Sequence, residues 1–307
     1  MSTIVYIGAV GRSGTTLLER TLATCERAAA LGELVHLWDR GVGLNEPCGC
    51  GLPFHSCPFW LEVGRRAFGG WDLVDLDELR RDRRRVDRNR YIPWLIAPRL
   101  APRPFQQARN RLIGTLDQLY IAIGEVATDT GNVVLVDSSK HPSYLFLLRA
   151  LPSHQLRLLH VVRDPRGVAH SWTKRVSRPE SSEDMERLGT VSAVGRWTSH
   201  NLLFQLASWL RVPTQRLAYE QFTADPTELF RRAEALLSGG DSLGSVPDLA
   251  GNLVELGIDH TASGNPMRFR SGNLTIRSDQ AWRSSLPSGS RRVIELLTTP
   301  LRQWYAR

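Results

Sequence analysis

Thr3-Ile4-Val5-Tyr6-Ile7-Gly8-Ala9 runs through Val10 into Gly11-Arg12-Ser13-Gly14-Thr15-Thr16, and then into Leu17, Leu18 and Leu22. The first part is short, apolar and rich in β-branched residues, which predicts a buried strand. The leucines at the end recur at helical spacing. Between them lies a glycine loop. Strand, glycine loop and helix in this order build an anion site, because the backbone N–H groups and the positive end of the helix dipole converge there. A nucleoside triphosphatase loop would read G-x-x-x-x-G-K-[ST]. Here Thr15 follows Gly14 where that motif has lysine, and Ala9 stands where it has its first glycine. The loop is designed for phosphate but is not that motif.

Working outward, the same alternation recurs. A strand is expected at 132–136, ending in Asp137-Ser138-Ser139-Lys140 and followed by a helix near 143–150. A third strand is expected at 156–162, ending in Arg163-Asp164-Pro165-Arg166-Gly167, with Asp164 as N-cap and Pro165 as first helical residue. Helices follow at 166–175 and 193–209, a strand at 214–219, and helices at 226–237 and 288–305. Short apolar strands alternating with helices imply an α/β fold, a P-loop-like parallel sheet with helices on both faces. Ligands of such sheets bind outside the carboxyl ends of the strands. The polar clusters after the first three strands are therefore expected to share one crevice. Residues 39–110 break the alternation and are read as a largely helical and loop insertion covering that cleft, within a single domain spanning 1–307. The Arg and Asp run at 80–90 reads as a solvated helix face.

Composition narrows the function classes. The 307 residues carry 39 basic and 31 acidic side chains, a formal net charge of +8. That balance favours an anionic partner. The arginines are scattered and none of the common nucleic-acid motifs is present, so no nucleic-acid partner is expected. No apolar run is long enough for a membrane span. The N-terminal stretch lacks the basic start and cleavage pattern of a signal peptide, so the expectation is a cytoplasmic protein with reduced thiols. Only Lys140 and Lys174 are lysine among all the basic residues. A lysine kept against that bias marks a place where arginine fails, and lysine alone of the two gives up a proton. Lys174 reads most simply as a solvated helix residue.

With these segments in view, the chain resembles the PAPS-dependent sulfotransferases, enzymes that transfer a sulfuryl group from 3'-phosphoadenosine 5'-phosphosulfate. Arg12-Ser13-Gly14-Thr15-Thr16 after a strand is similar to their 5'-phosphosulfate loop. Arg163 with Ser171 eight residues on is similar to their 3'-phosphate motif. An Arg fork plus a hydroxyl suits a phosphate monoester. Gly32-Glu33 resembles the Gly-Glu of tyrosylprotein sulfotransferases. Lys140-His141-Pro142-Ser143-Tyr144 resembles the K-[ST]-P-x-Y of carbohydrate sulfotransferases, and Ala218-Tyr219-Glu220-Gln221-Phe222 their R-Y-E-D-L, whose Tyr lies near the adenine. The stretch from His260 to Trp282, with Arg268 and Arg277, resembles bacterial members. The sequence departs from the pattern at His141 and Ala218.

The resemblance implies roles. Arg12 and the loop through Thr16 take the 5'-phosphosulfate, Lys140 the bridging oxygen, Arg163 and Ser171 the 3'-phosphate, and Tyr219, Arg268 and Arg277 complete the nucleotide site. The product would be PAP, and fixed cations make a metal unnecessary for the transfer. Glu33 is the first choice for the base that takes the acceptor's proton, and His141 the second. The acceptor would be a hydroxyl of a small molecule, a carbohydrate or a lipid. No residue points to a particular oligomeric state. Two rivals stand beside this reading: a P-loop small-molecule kinase, which the missing loop lysine opposes, and a PAP-binding protein of this type without activity.

Cys48, Cys50 and Cys57 form C-x-C-x6-C. They suit a compact turn packed with Phe54, Phe59 and Trp60 over the acceptor site. The alternatives are a local disulfide, or zinc with His55 or His36 as fourth ligand, although structural zinc sites favour tighter paired spacing. No metal ligand is assigned on sequence grounds. Trp38, Trp71 and Trp94 line the site or fill the insertion's core.

Overall fold

The computed structural model describes residues 2–127, 134–176, 184, 186–237, 241–249 and 251–305. Five parallel strands form the central sheet, in the order β2-β3-β1-β4-β5. They are β1 (Ser2–Gly8), β2 (Ala28–Gly32), β3 (Val134–Asp137), β4 (His154–Val162) and β5 (Thr214–Ala218). The α/β parallel architecture read from the sequence is the one observed. Of the strand expected at 132–136, residues 132 and 133 lie outside the described residues.

β1 is central and fully buried, pairing with β3 on one side and β4 on the other. Its side chains alternate between the two faces, as strand geometry requires. Ile4 and Tyr6 enter one apolar core, while Val5 and Ile7 enter the other. The chain leaves β1 toward β2 and β3, then crosses to β4 on the far side. That reversal of strand order opens a crevice at the carboxyl ends.

Helix α1 (Thr15–Leu22) follows the glycine loop. Residues 39–110 hold α2 (Pro58–Phe68), α3 (Leu76–Val86), α4 (Ile92–Ile96) and the start of α5 (Arg103–Ala127). Phe54, Trp60 and Trp71 are buried there and, with Trp38 just before them, share one core with Ile4 and Tyr6. Trp94 instead stacks on Tyr91 at 5.4 Å and packs at the margin of that core. The arginines of α3 are more engaged than a solvated face: Arg80 and Arg83 both bind Asp39, and Asp82 is buried beneath Arg111.

Beyond β3 come α6 (Pro142–Leu148), α7 (Pro165–Thr173), α8 (Thr190–Trp209), α9 (Tyr219–Ala224) and α10 (Thr227–Glu234). Asp164 caps α7 as expected, accepting from the Arg166 amide at 2.8 Å. The C-terminal part adds a hairpin of β6 (Leu253–Leu256) and β7 (Gly272–Thr275), then α11 (Trp282–Ser285) and α12 (Ser288–Tyr305). Among the described residues, no helix is long and apolar enough to cross a membrane.

Candidate active site

The glycine loop, the 139–141 turn, Arg163 beyond β4, the last turn of α7 and the segment 264–267 border one cleft of about 1180 Å³. Gly14, the residue before α1, has φ +79°, and a Cβ there would lie 2.5 Å from the Tyr219 ring. Only glycine meets both demands. Arg12 also sits in the left-handed region, at φ 72°. Non-glycine residues held there are strained and concentrate at functional sites. No side chain caps α1, so the helix end keeps its amides for a ligand. Arg12 Nη2 and Ser13 Oγ are buried without a partner among the described residues. Unpaired buried donors of this kind carry a desolvation cost that a bound anion removes.

A second left-handed residue lies across the cleft. Lys140 has φ 62°. Bonds on both sides hold it: Asp137 accepts from the Ser139 amide at 2.7 Å, and Tyr6 Oη accepts from the His141 amide at 2.8 Å while donating to the His141 carbonyl at 2.9 Å. The Tyr120 hydroxyl donates to the other Asp137 oxygen. This scaffold aims Lys140 Nζ at Glu33 Oε1, 2.5 Å away. Glu33 is placed by the end of β2, where its amide donates to the Ser263 carbonyl at 3.2 Å. Glu19, inside α1, holds the same corner by accepting from the Leu31 and Gly32 amides and from Ser138 Oγ.

The electrostatics follow from burial and pairing. Burial pushes the Glu33 carboxyl up, but the charge and hydrogen bond of Lys140 lead the opposing effects that hold it below the ordinary range. Glu33 is therefore ionised at neutral pH. Burial drives His36 down to about 3 and also lowers His141, so both imidazoles are neutral. His36 and His141 meet edge to face at 5.5 Å beside the carboxylate.

At the other end of the cleft, Arg163 follows the last residue of β4. Its Nη1 donates to the Arg12 carbonyl at 2.8 Å, and its guanidinium lies 4.5 Å over the Tyr219 ring. Ser171 borders the same space from α7. Asp279 reaches in from the C-terminal part, 3.3 Å from both Arg163 Nη2 and Lys174 Nζ.

The structure thus gathers Arg12, Gly14, Thr15, Thr16, Glu33, Lys140, His141, Arg163 and Ser171 around one cleft, with Ser13 and Tyr219 packed directly behind the loop. Arg268 and Arg277 are not among the lining residues. Arg268 is buried, donating to the Thr261 carbonyl at 3.1 Å, and Arg277 is exposed on the surface. Nor does the cysteine turn cover the cleft: Cys48, Phe54 and Trp60 pack into the core beside it. Sequence reasoning missed Arg40, Arg196 and His200 on the cleft wall, and the pairing of Lys174 with Asp279. None of these carries a local motif: Arg40 comes from the segment after β2, Arg196 and His200 from α8, and Asp279 from the C-terminal part.

A fixed cation beside an ionised carboxylate, next to an anion-binding loop and a second arginine site, suits transfer of an anionic group to a hydroxyl. Comparison with known proteins agrees. The model of the sulfotransferase family matches residues 5–238. None of the curated proteins searched matches the chain. Among solved structures, the sulfotransferase domain from the curacin biosynthetic pathway aligns over 98% of this chain and 98% of its own length, at 16% identity and a TM-score of 0.50. The sulfotransferase domain from the Synechococcus PCC 7002 olefin synthase aligns over 100% of this chain and 95% of its own, at 19% identity and a TM-score of 0.51. These two likenesses are of fold. The family match, which covers most of the chain, is the basis for the conclusion that this protein belongs to the sulfotransferase family.

Proposed function

We propose that this protein transfers a sulfuryl group from PAPS to a hydroxyl of an acceptor. The observation that carries the reading is the Lys140–Glu33 pair, held by a strained backbone at the mouth of an anion-binding loop. PAPS, when bound, supplies the activated sulfuryl group. The residues present fit it: Arg12 Nη2, Ser13 Oγ and the first amides of α1 offer unpaired donors for its 5' end, and Arg163 with Ser171 suits its 3'-phosphate.

The chain's own residues then divide the work. Lys140 holds a proton beside the leaving oxygen and stabilises the charge that grows there. Glu33 accepts the proton of the acceptor hydroxyl. Their ion pair is the resting arrangement. When Lys140 turns to the leaving oxygen, Glu33 loses the charge that holds its pKa down, and burial then makes it a stronger base. His141 orients the acceptor as a neutral imidazole. Arg40, Arg88 and Asn89 border the open end, which favours a polar, hydroxylated acceptor such as a carbohydrate or a functionalised small molecule.

The test combines binding with turnover. PAP, ATP and AMP are compared at equal concentration for thermal stabilisation, with and without Mg²⁺. PAP alone is expected to raise the melting temperature, independently of Mg²⁺, and the shift is expected to vanish in Arg163→Ala. Glu33→Gln is expected to lower kcat by about 10²–10⁴ while PAP affinity stays within about twofold. Lys140→Arg keeps the charge but cannot release a proton, so its turnover is expected to fall as well. Stabilisation by ATP with Mg²⁺ but not by PAP would overturn the reading in favour of a kinase, and full turnover in Glu33→Gln would remove that residue as the base.

A further inference from the structure

We propose that Cys48, Cys50, Cys57 and His260 hold a structural zinc ion. The four side chains converge on one point, with their three Sγ atoms and a ring nitrogen all within 4.8 Å of one another. Cys50 Sγ lies 3.7 Å from Cys57 Sγ, and Cys57 Sγ 3.6 Å from Cys48 Sγ. His260 Nδ1 lies 3.7 Å from Cys48 Sγ and 3.3 Å from Cys57 Sγ. Zinc bonds of about 2.3 Å to sulfur and about 2.0–2.1 Å to nitrogen, set tetrahedrally, give edges of about 3.8 Å between sulfurs and about 3.6 Å between sulfur and nitrogen. The four short separations lie close to those edges, and the remaining two are within 4.8 Å.

The competing explanations fit less well. A disulfide needs sulfurs about 2.05 Å apart, and any such pair would strand the third thiol of the set. Buried cysteines acting as small apolar residues would have no reason to converge with an imidazole. The ligand set of three thiolates and one imidazole is a common structural zinc set. The fourth ligand lies 203 residues from Cys57 in sequence. That distance hides the site from any local spacing rule. His55 and His36, the nearer candidates, are engaged elsewhere: His55 Nε2 meets the Val42 carbonyl at 2.9 Å, and His36 lies beside Glu33.

The surroundings are built to hold these donors in place. The His260 ring stacks on Phe59 with an interplanar angle of 1°. Trp60 Nε1 donates to the His260 carbonyl at 2.9 Å. The amide of Gly49, between the first two cysteines, donates to the Thr261 carbonyl at 2.9 Å. A Cβ at Gly49 would lie 2.4 Å from Thr261 Oγ1, so the approach requires glycine. Outer contacts of this kind hold metal ligands in position.

Binding exchanges three thiol protons for one Zn²⁺, leaving the cluster with one net negative charge and the imidazole neutral. The ion would staple the 48–57 turn to the segment 259–264. That segment backs the candidate base directly, because the Ala262 amide donates to the Leu31 carbonyl and the Ser263 carbonyl accepts from the Glu33 amide. The metal's task is structural, outside the cleft, and separate from the transfer chemistry.

The test uses the full chain, purified under reducing conditions without chelator. Elemental analysis and native mass spectrometry are expected to find about one zinc per chain. Replacement by Co²⁺ is expected to produce thiolate charge-transfer bands and the visible bands of a tetrahedral site. Cys57→Ser is expected to lose both the metal and the cobalt spectrum. His260→Cys, which restores a fourth soft ligand, is expected to keep them and guards against a variant that merely fails to fold. Folded protein that contains no zinc and develops no cobalt spectrum would overturn the proposal, as would a mass two hydrogens low that maps to a disulfide among these cysteines in freshly reduced protein.

Discussion

Glu19 shows how a single buried carboxylate shapes both the site and the pH response. It lies fully buried in α1 and anchors the end of β2 through the Leu31 and Gly32 amides. Burial pushes its carboxyl up to about 8, against the pull of Ser138 and the Gly32 amide. In the unfolded chain the same group ionises near 4.5. The folded state therefore keeps a proton that the unfolded state releases. From pH 4.5 upward its contribution to stability falls, reaching its full penalty above about pH 8. Glu19→Gln copies the protonated form and removes this penalty. In denaturant titrations the variant is expected to match wild type near about pH 4 and to exceed it by about 2–4 kcal/mol near about pH 9. Lower stability of the variant at alkaline pH would contradict the assignment. Glu33, two positions beyond Leu31 and largely buried at the cleft wall, shows the opposite outcome, because Lys140 is at hand to offset its burial.

Among the elements, the end of α7 and the turn before α11 form a latch on the Arg163 site. Asp279 pairs with Arg163 and with Lys174, the residue that follows α7, and also accepts from the Ala281 amide at 3.2 Å. A 3'-phosphate would compete with this carboxylate for the same two cations. Partly exposed pairs of this kind are worth about 0.2–1 kcal/mol. Asp279→Asn keeps the amide contact and removes the charge, so PAP is expected to bind about two- to fivefold more tightly by calorimetry. Unchanged or weaker PAP binding would show that the carboxylate does not compete. The elements were unevenly legible in the sequence. β1 and β4 announce themselves through β-branched and leucine-rich runs, and α7 through Asp164-Pro165. β2 does not, since Ala28-Ala29-Ala30-Leu31-Gly32 carries no strand propensity and becomes a strand only because β3 offers it a pairing edge. The β6–β7 hairpin was hidden because its strands have only four residues each and lie 15 residues apart between Leu256 and Gly272.

At the scale of the whole molecule, the C-terminal part is bound into the site from two sides. Arg20, buried in α1, donates to Asp259 at 2.6 Å and to the carbonyls of Gly257, Met267 and Arg270. Breaking a buried pair of this kind costs about 3–5 kcal/mol, because the partner groups are left unsatisfied. Arg20→Met is expected to lower the melting temperature by ~5 °C or more and to reduce kcat/KM more than PAP affinity, since the 259–264 segment backs Glu33 while the glycine loop stands apart from it. An unchanged melting temperature would show that the clamp is dispensable. The sequence by itself determined the layered α/β plan, the glycine loop after β1, and the spacing of Arg163 and Ser171 after β4. Those features are local: short apolar runs, a glycine turn and a strand-end arginine each declare themselves within about ten residues. Only the tertiary structure decided that Lys140 faces Glu33, that Asp279 engages Arg163, and that His260 closes the cysteine cluster. Each of these joins residues more than 100 positions apart, and their meeting depends on strand order and on the packing of the C-terminal part, which no local pattern encodes.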